Sequence, residues 1–414
     1  MSTAALGGGA KIQDRSEHFT DEQSKDDKFR NVSNIWTSQC MTFDQGIEKL
    51  NEQQQVIRDL REPLSAFSPV VTSKGEFALR YNKTGQEYVP TEHALTHIAV
   101  VSETSDWMLQ DLRREKEGNT KKQPVKFTRD HSDAELMVRI VGHTLFHPSR
   151  MDQSKVRLFR TWTNGTLRAL LSSKYAIINN AWYVNVLRDL IPGGLLSHWR
   201  GDADTVFGNV LIPDTIRQES DSAYGGMLSI GNSEIGLRRI MSLPSVFRAI
   251  CMNGCIWEPQ KGKSVRKVHR GDVDLEGLKF EIKNNLEQQI PLLPDGIRQL
   301  LGLRGRGFGN ASVAQVLAAF AMSFKVSRSN MVGIRRALEV EQGLLGVKEA
   351  KTAFGLCNAV TRYGQTLYTQ EWVDFDQIGG RLTMQTETQW NSLRSYAASL
   401  TDTDEIEKLI GLLA

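Results

Sequence analysis

At 414 residues, with 40% hydrophobic, 24% charged and 8% aromatic side chains, the chain has a globular composition that excludes wholesale disorder. Its 51 basic and 48 acidic residues leave a net charge of +3, too balanced to indicate a partner except through local clustering. Four cysteines, Cys40, Cys251, Cys255 and Cys357, are too few and too scattered for a disulfide-stapled scaffold and imply a reducing compartment.

The N-terminal stretch lacks an apolar core of signal-peptide length, and no run approaches the roughly 20 apolar residues that span a bilayer. The expectation is a cytosolic chain without membrane contact. Residues 1–31 are polar, charged and without a clear period, and read as a flexible arm. Over residues 43–60, Phe43, Ile47, Leu50, Ile57 and Leu60 fall at roughly helical spacing, with Pro63 ending the helix. FALRYNKTGQEYV then predicts two short strands joined by an Asn-Lys-Thr-Gly turn. A helix starts at Pro90-Thr91-Glu92 and runs on through SETSDWMLQDLRREKEG, and residues 118–124 form a surface loop.

The middle of the chain predicts a turn, a short segment and then a helix over residues 180–190, stopped by Pro192-Gly193-Gly194. LSHWRGD, TVFGNVLIPDTI, YGGMLSIGNSEI, RRIMSLPSVFRAICM and CIWEP are short, turn-separated and rich in Val, Ile, Phe and Trp, which predicts an antiparallel sheet. A helix over residues 275–289 follows, closed by PLLPDG, and the chain beyond Arg298 is mostly helical, ending in a helix capped by Thr401 or Asp402. The expected class is α+β: a central antiparallel sheet with packed helices and a mostly helical C-terminal region. The expected organisation is an arm (1–31), a mixed α/β region (32–150), a sheet-containing core (151–297) and a helical region (298–414).

Two stretches carry a family resemblance. TWTNGTLRALLSSKYAIINN (161–180) and LSIGNSEIGLRRIMSLPSVFRAICMNG (228–254), followed by VHRGD, resemble the phage/plasmid-related protein family, a domain of unknown function. FGLCNAVTRYGQ (354–365) is similar to that family's closing helix. The resemblance covers about the central third of the chain and implies a mobile-element protein in the cytoplasm of a bacterial host, with no established activity. In element order alone, the helix, hairpin and strands beside basic segments are also similar to the core of single-strand-annealing recombinases.

Local charge is the strongest chemical signal. Over residues 139–200 the bases are Arg139, Arg150, Lys155, Arg157, Arg160, Arg168, Lys174, Arg188 and Arg200, opposed by Asp152 and Asp189 and interleaved with Trp162, Tyr175, Trp182, Tyr183 and Trp199. Phosphates need Lys and Arg, and single-stranded bases stack on aromatic faces, so this is the pattern of a nucleic-acid contact. Arg157, Arg160, Arg168 and Lys174 are the expected phosphate contacts, and Trp162, Tyr175 and Tyr183 the expected stacking faces. A second basic run, KGKSVRKVHRG, supplies Lys261, Lys263, Arg266, Lys267 and Arg270, and a third lies at Arg304-Gly305-Arg306-Gly307-Phe308. The competing reading makes these charges solvated faces and the aromatics core.

Other chemistry fares less well. His93/His97, His143/His147 and Cys251/Cys255 have the i, i+4 spacing of metal ligands but lack an HExxH glutamate or a zinc-knuckle context. Asp272, Asp274, Glu281 and Lys283 resemble a metal-dependent nuclease layout, but FEIKNNLEQQ reads as helix, which would scatter them. There is no GxxxxGK[ST] and no G-x-S-x-G, and Asn232 to Gly236 (NSEIG) reads as a turn in which Ser233 and Glu234 satisfy backbone donors. No metal or cofactor is expected. The expectation is a non-catalytic protein binding single-stranded DNA in phage or plasmid replication or recombination, with strand annealing by a homo-oligomer as its specific form. Phage or host replication proteins would be further partners. The alternatives are a virion or host-inhibiting interaction protein and, third, the nuclease.

Overall fold

A computed structural model describes residues 40–105, 108–109, 133–218, 222–248, 253–256, 265–267, 269–271, 273–367 and 369–411. The expected arm lies outside these residues. The described residues begin with β1 (Met41–Thr42) and α1 (Phe43–Gln54), whose Thr42 and Gln45 form a reciprocal capping box. The expected helix over 43–60 ends here. Residues from Ile57 onward form β2 (Ile57–Pro63), because pairing with a later strand outweighs a weak helical period.

β2, β3 (Phe67–Val71), β4 (Phe77–Tyr81), β5 (Glu87–Pro90), β6 (Val156–Trp162) and β7 (Thr166–Ser172) form one sheet in the order β2-β6-β7-β5-β4-β3. The sheet curls, so that Phe67 near one edge stacks on Phe159 with ring centroids 3.8 Å apart. Its strands come from both sides of residue 150, so the sheet straddles the boundary expected there. Two helices cover its concave core, α2 (Glu92–Ser102) and α3 (Asp133–Thr144), through Leu95, Ile98, Met137 and Val141. Glu103 adopts a left-handed conformation and ends α2, so the helix does not continue into residues 103–105. The rest of its expected extension, apart from 108–109, falls outside the described residues.

The second sheet is the expected antiparallel one. After α4 (Asn180–Leu190), it comprises β8 (Leu195–Gly201), β9 (Thr205–Gln218), β10 (Ala223–Ser233), β11 (Ile240–Arg248), β12 (Asn253–Ile256) and β13 (Val265–Lys267), with β1 at its edge. Every residue of β10 and β11 is buried, so both faces of this pair are covered, and the polar side chains of Ser229, Asn232, Ser242 and Ser245 are buried with the apolar ones.

The C-terminal helices pack on this sheet. They are α5 (Leu275–Gln289), α6 (Leu293–Gly302), α7 (Val313–Phe324), α8 (Arg328–Leu345), α9 (Val347–Ala350), α10 (Ala353–Gly364), α11 (Thr369–Thr383), α12 (Glu387–Ser399) and α13 (Thr403–Leu409). α5 ends at Gln289, as expected, and PLLPDG opens the next two helical segments. Pro291 and Pro294 sit in the first turns of a 3-10 segment and of α6, where a missing N–H costs nothing. Asp402 caps the last helix. The third basic run is built into the fold, with Arg304 bridging to Glu349 at 2.8 Å and Arg306 donating to the Gln385 carbonyl at 2.6 Å. The architecture is α+β.

Phe159, fully buried and stacked on Phe67, joins edge strand β3 to β6, the strand beside the opposite edge of the curled sheet. Phe159→Ala should destabilise the protein by about 3–5 kcal/mol in urea unfolding, while a loss under about 1 kcal/mol would mean the sheet does not close on this ring.

Candidate nucleic-acid interface

The two arginines at the centre of the expected interface are not on the surface. Arg160 is 1% exposed and Arg168 is fully buried. Arg160 lies directly opposite Asp59 in the β2–β6 ladder and bonds it at 2.9 Å. It also donates to Glu234, at 3.1 Å to the carboxylate and again to the backbone carbonyl. Arg168 owes its orientation to a β-bulge. Arg160 pairs with Ala169 and Thr161 with Leu167, which leaves Arg168 as the extra residue, out of the strand's alternation. The bulge aims its guanidinium at Asp204, 2.6 Å away, and at the Ala203 carbonyl, with Glu234 at 3.9 Å.

Glu234 is the hub. Its carboxylate accepts from the Asn180 backbone N–H at 2.8 Å, in the first turn of α4, where an anion is favoured, and from Gln54 on α1 at 3.3 Å. Asn232 donates to the Ile178 carbonyl and to Asn180 Oδ1, each at 2.8 Å, and Ser233 Oγ accepts from the N–H groups of Ile235 and Leu237. NSEIG therefore joins the two sheets and α4, with Ser233 and Glu234 satisfying backbone donors. Burial pushes the Glu234 and Asp204 carboxyls above their ordinary range, against the pull of Arg160 and Arg168. For Arg160, burial works against the charge, but the Asp59 bond and the nearby Asp59 and Glu234 charges outweigh it. Arg160 and Arg168 are corrected from phosphate contacts to structural ion pairs.

Tyr183 is corrected as well. It is fully buried in α4, its hydroxyl donates to the Met241 carbonyl at 2.6 Å, and it offers no stacking face. Trp162 is half-buried, with the Arg168 guanidinium carbon 5.6 Å from its ring, so it shields the ion-pair network. Arg157 is half-buried on the opposite, Phe159 side of β6, facing Glu62 across the ladder, and does not join the remaining candidates.

Lys174 and Tyr175 do come together, and Arg270 lies between two residues that touch them, His269 and Gly271. A groove of about 600 Å³ is lined by Arg61, Lys174, Tyr175, Ile177, Gly271 and Val273. Arg61 and Lys174 are exposed along it, and exposed Arg270 adjoins Gly271. Arg61 anchors the connection after β7 by donating to the Tyr175 carbonyl at 3.2 Å and to that of Ser173. The Gly271 N–H donates to the Lys174 carbonyl at 2.8 Å, which fixes the basic segment beside β7. Tyr175 is held by a 2.8 Å bond to the Ser233 carbonyl and by parallel stacking on buried His269, with centroids 5.1 Å apart. Arg266 and Lys267 pair through their backbones with Met241 and Ile240, which extends the basic segment along β11. Lys261 and Lys263 lie outside the described residues. Arg61 was missed because its stretch reads as helix; strand alternation with Asp59 places it on the Arg160 face.

His93 Nε2 donates to the Ile235 carbonyl at 2.9 Å, and its ring lies 4.2 Å from that of His97. Cys251 lies outside the described residues, while Cys255 faces Cys357, with sulfurs 3.3 Å apart. Asp274 caps α5 and exposed Glu281 and Lys283 stand two positions apart on that helix, so they do not converge; Asp272 lies outside the described residues. Among the described residues, no group of three or more His, Cys, Asp or Glu is placed to hold a metal, and no helix is long and apolar enough to cross a membrane. Compared with family models, curated proteins and solved structures, the chain matches none.

Removing one partner from a buried ion-pair network leaves an uncompensated charge. Glu234→Ala should therefore cost about 3–5 kcal/mol in urea unfolding, against about 0.5 kcal/mol or less for exposed Lys174→Ala. Equal costs would contradict the hub. Acid should weaken the same region. Burial, reinforced by the charge of His93, lowers the His97 pKa from 6.5 to about 4. The folded chain then binds this proton less readily than the unfolded chain, so stability is complete above about pH 6.5 and falls as the pH drops toward 4. His97→Asn should flatten that part of the profile, and an unchanged slope would assign it to other groups.

Proposed function

We propose that the chain is a non-catalytic nucleic-acid-binding protein that holds single-stranded DNA in the groove bordered by Arg61, Lys174 and Arg270. The observation that carries the reading is that exposed Arg61 and Lys174, from two separate segments, line one groove of about 600 Å³, with exposed Arg270 next in sequence to Gly271 on its wall. Phosphates passing Lys174 and Arg270 would continue toward the basic β13 segment, and the partly exposed Tyr175 ring would supply an aromatic edge for a base. Preference for a single strand rests on that aromatic and on the groove, since duplex binding needs neither.

The resemblance of residues 161–180 and 228–254 to a phage- and plasmid-encoded family supports a setting in replication or recombination of a mobile element in a bacterial host. Strand annealing would line such grooves along a homo-oligomer, and phage or host replication proteins would meet the chain there.

Fluorescence anisotropy with a labelled single-stranded oligonucleotide, titrated with salt, tests the reading. Binding should weaken with a log–log slope of about −2 to −4, as for three to five neutralised phosphates, and a duplex should compete poorly. Lys174→Glu combined with Arg270→Glu should lower affinity by about tenfold or more. Absence of binding at low salt would overturn the reading in favour of a protein-partner role as a virion component or host-factor inhibitor.

A further inference from the structure

A second cavity, of about 390 Å³, lies beside the NSEIG turn and is lined by Gly236, Arg238, Arg239, Met241, Val373 and Gln377. Arg238 is only 9% exposed, and its Nη1 is buried without a hydrogen-bond partner. Its guanidinium carbon lies 5.0 Å from the Phe207 ring, so one surface of the ion is held by an aromatic and has no counter-ion there. Burial lowers the Arg238 pKa, and the charge of exposed Asp374 on α11 only partly opposes this. Arg160 and Arg168, the other buried arginines near this turn, each bond a carboxylate at 2.9 Å or less. Among the described residues, Arg238 has no comparable ion pair.

A desolvated guanidinium with an unused N–H is costly unless an acceptor reaches it, and its planar fork matches the oxygens of a phosphate. Arg239 is exposed at the same cavity and adds a second positive charge, Gln377 adds an amide, and Met241 and Val373 add apolar wall. We propose that this cavity is an oxyanion site that takes a phosphate group, with Arg238 as the buried anchor and Arg239 and Gln377 at its rim. The site does not depend on the strand-binding groove. The two are neighbours, since Gly236 lines this cavity and packs near Tyr175, which lines the groove. The phosphate could belong to free phosphate or to the monoester end of a nucleic acid, and the chemistry of recognition is shared.

Thermal unfolding of the full chain in sodium phosphate, against sodium chloride of equal ionic strength, tests the site. Phosphate should raise Tm saturably in the wild type and not in Arg238→Gln. Because a buried arginine variant can fail to fold, Gln377→Glu, at a partly exposed position, provides the deciding variant. It places a like charge in the cavity and should weaken phosphate binding by about tenfold or more. A trinucleotide with a 5′-phosphate, compared by calorimetry with inorganic phosphate and with the same trinucleotide lacking the phosphate, identifies the source. Tighter binding of the phosphorylated trinucleotide assigns the site to a strand end, and tighter binding of inorganic phosphate assigns it to the free ion. Equal Tm values in phosphate and chloride, or an undiminished phosphate response in Gln377→Glu, would overturn the proposal, whatever the groove does with longer strands.

Discussion

Glu234 is a carboxylate with 1% exposure that joins four elements: the end of β10, the Arg160 guanidinium on β6, the first turn of α4 and Gln54 on α1. A carboxylate this deep is tolerated only while its charge and lone pairs are satisfied, and here an arginine, a helix N–H and an amide satisfy them together. The geometry of both sheets near this point follows from that requirement. The β7 bulge exists where Arg168 must leave the strand alternation to meet Asp204, and Asp204 is itself held by Asp202 at the β8–β9 turn.

The hub also sets the surface. Tyr175 bonds the carbonyl of Ser233, the residue before Glu234, and Gly236, two residues after it, adopts φ +84. A Cβ at Gly236 would lie 3.2 Å from Leu171 and close to Tyr175, so the turn needs glycine both for its backbone and for the contact. One side of this turn leads to the groove of Lys174 and the other residues around Tyr175. The following residues, Arg238 and Arg239, line the second cavity. Cations in this region therefore divide into two kinds. Arg160 and Arg168 spend their charge inside the protein, whereas Arg61, Lys174 and Arg270 keep theirs in solvent.

That division explains what was legible in the sequence. The strands of the central sheet, the helix Asn180–Leu190 and the capped C-terminal helices were readable because run length, turn residues and caps are local signals. So was the structural character of NSEIG. The fate of the basic residues was not, because composition records a charge but not its counter-ion. Arg160 and Lys174 look equivalent along the chain. Only the register that sets Asp59 opposite Arg160 separates them, and that register spans about a hundred residues. β2 was misread for the same reason: Ile57 and Leu60 fit a helical period, and the pairing that makes them a strand is non-local. Arg168 was the least accessible of all, since a bulge reverses the face that alternation would assign.

Photocrosslinking of the full chain to a single-stranded oligonucleotide carrying 4-thiothymidine, followed by peptide mapping, tests most directly whether nucleic acid meets the solvent-facing cations and not the buried ones. Adducts should concentrate on the segments containing Lys174-Tyr175 and Arg266 to Arg270. Adducts centred on Arg160 or Tyr183, or confined to the C-terminal helices, would contradict both the proposed groove and the structural role assigned to the Glu234 network.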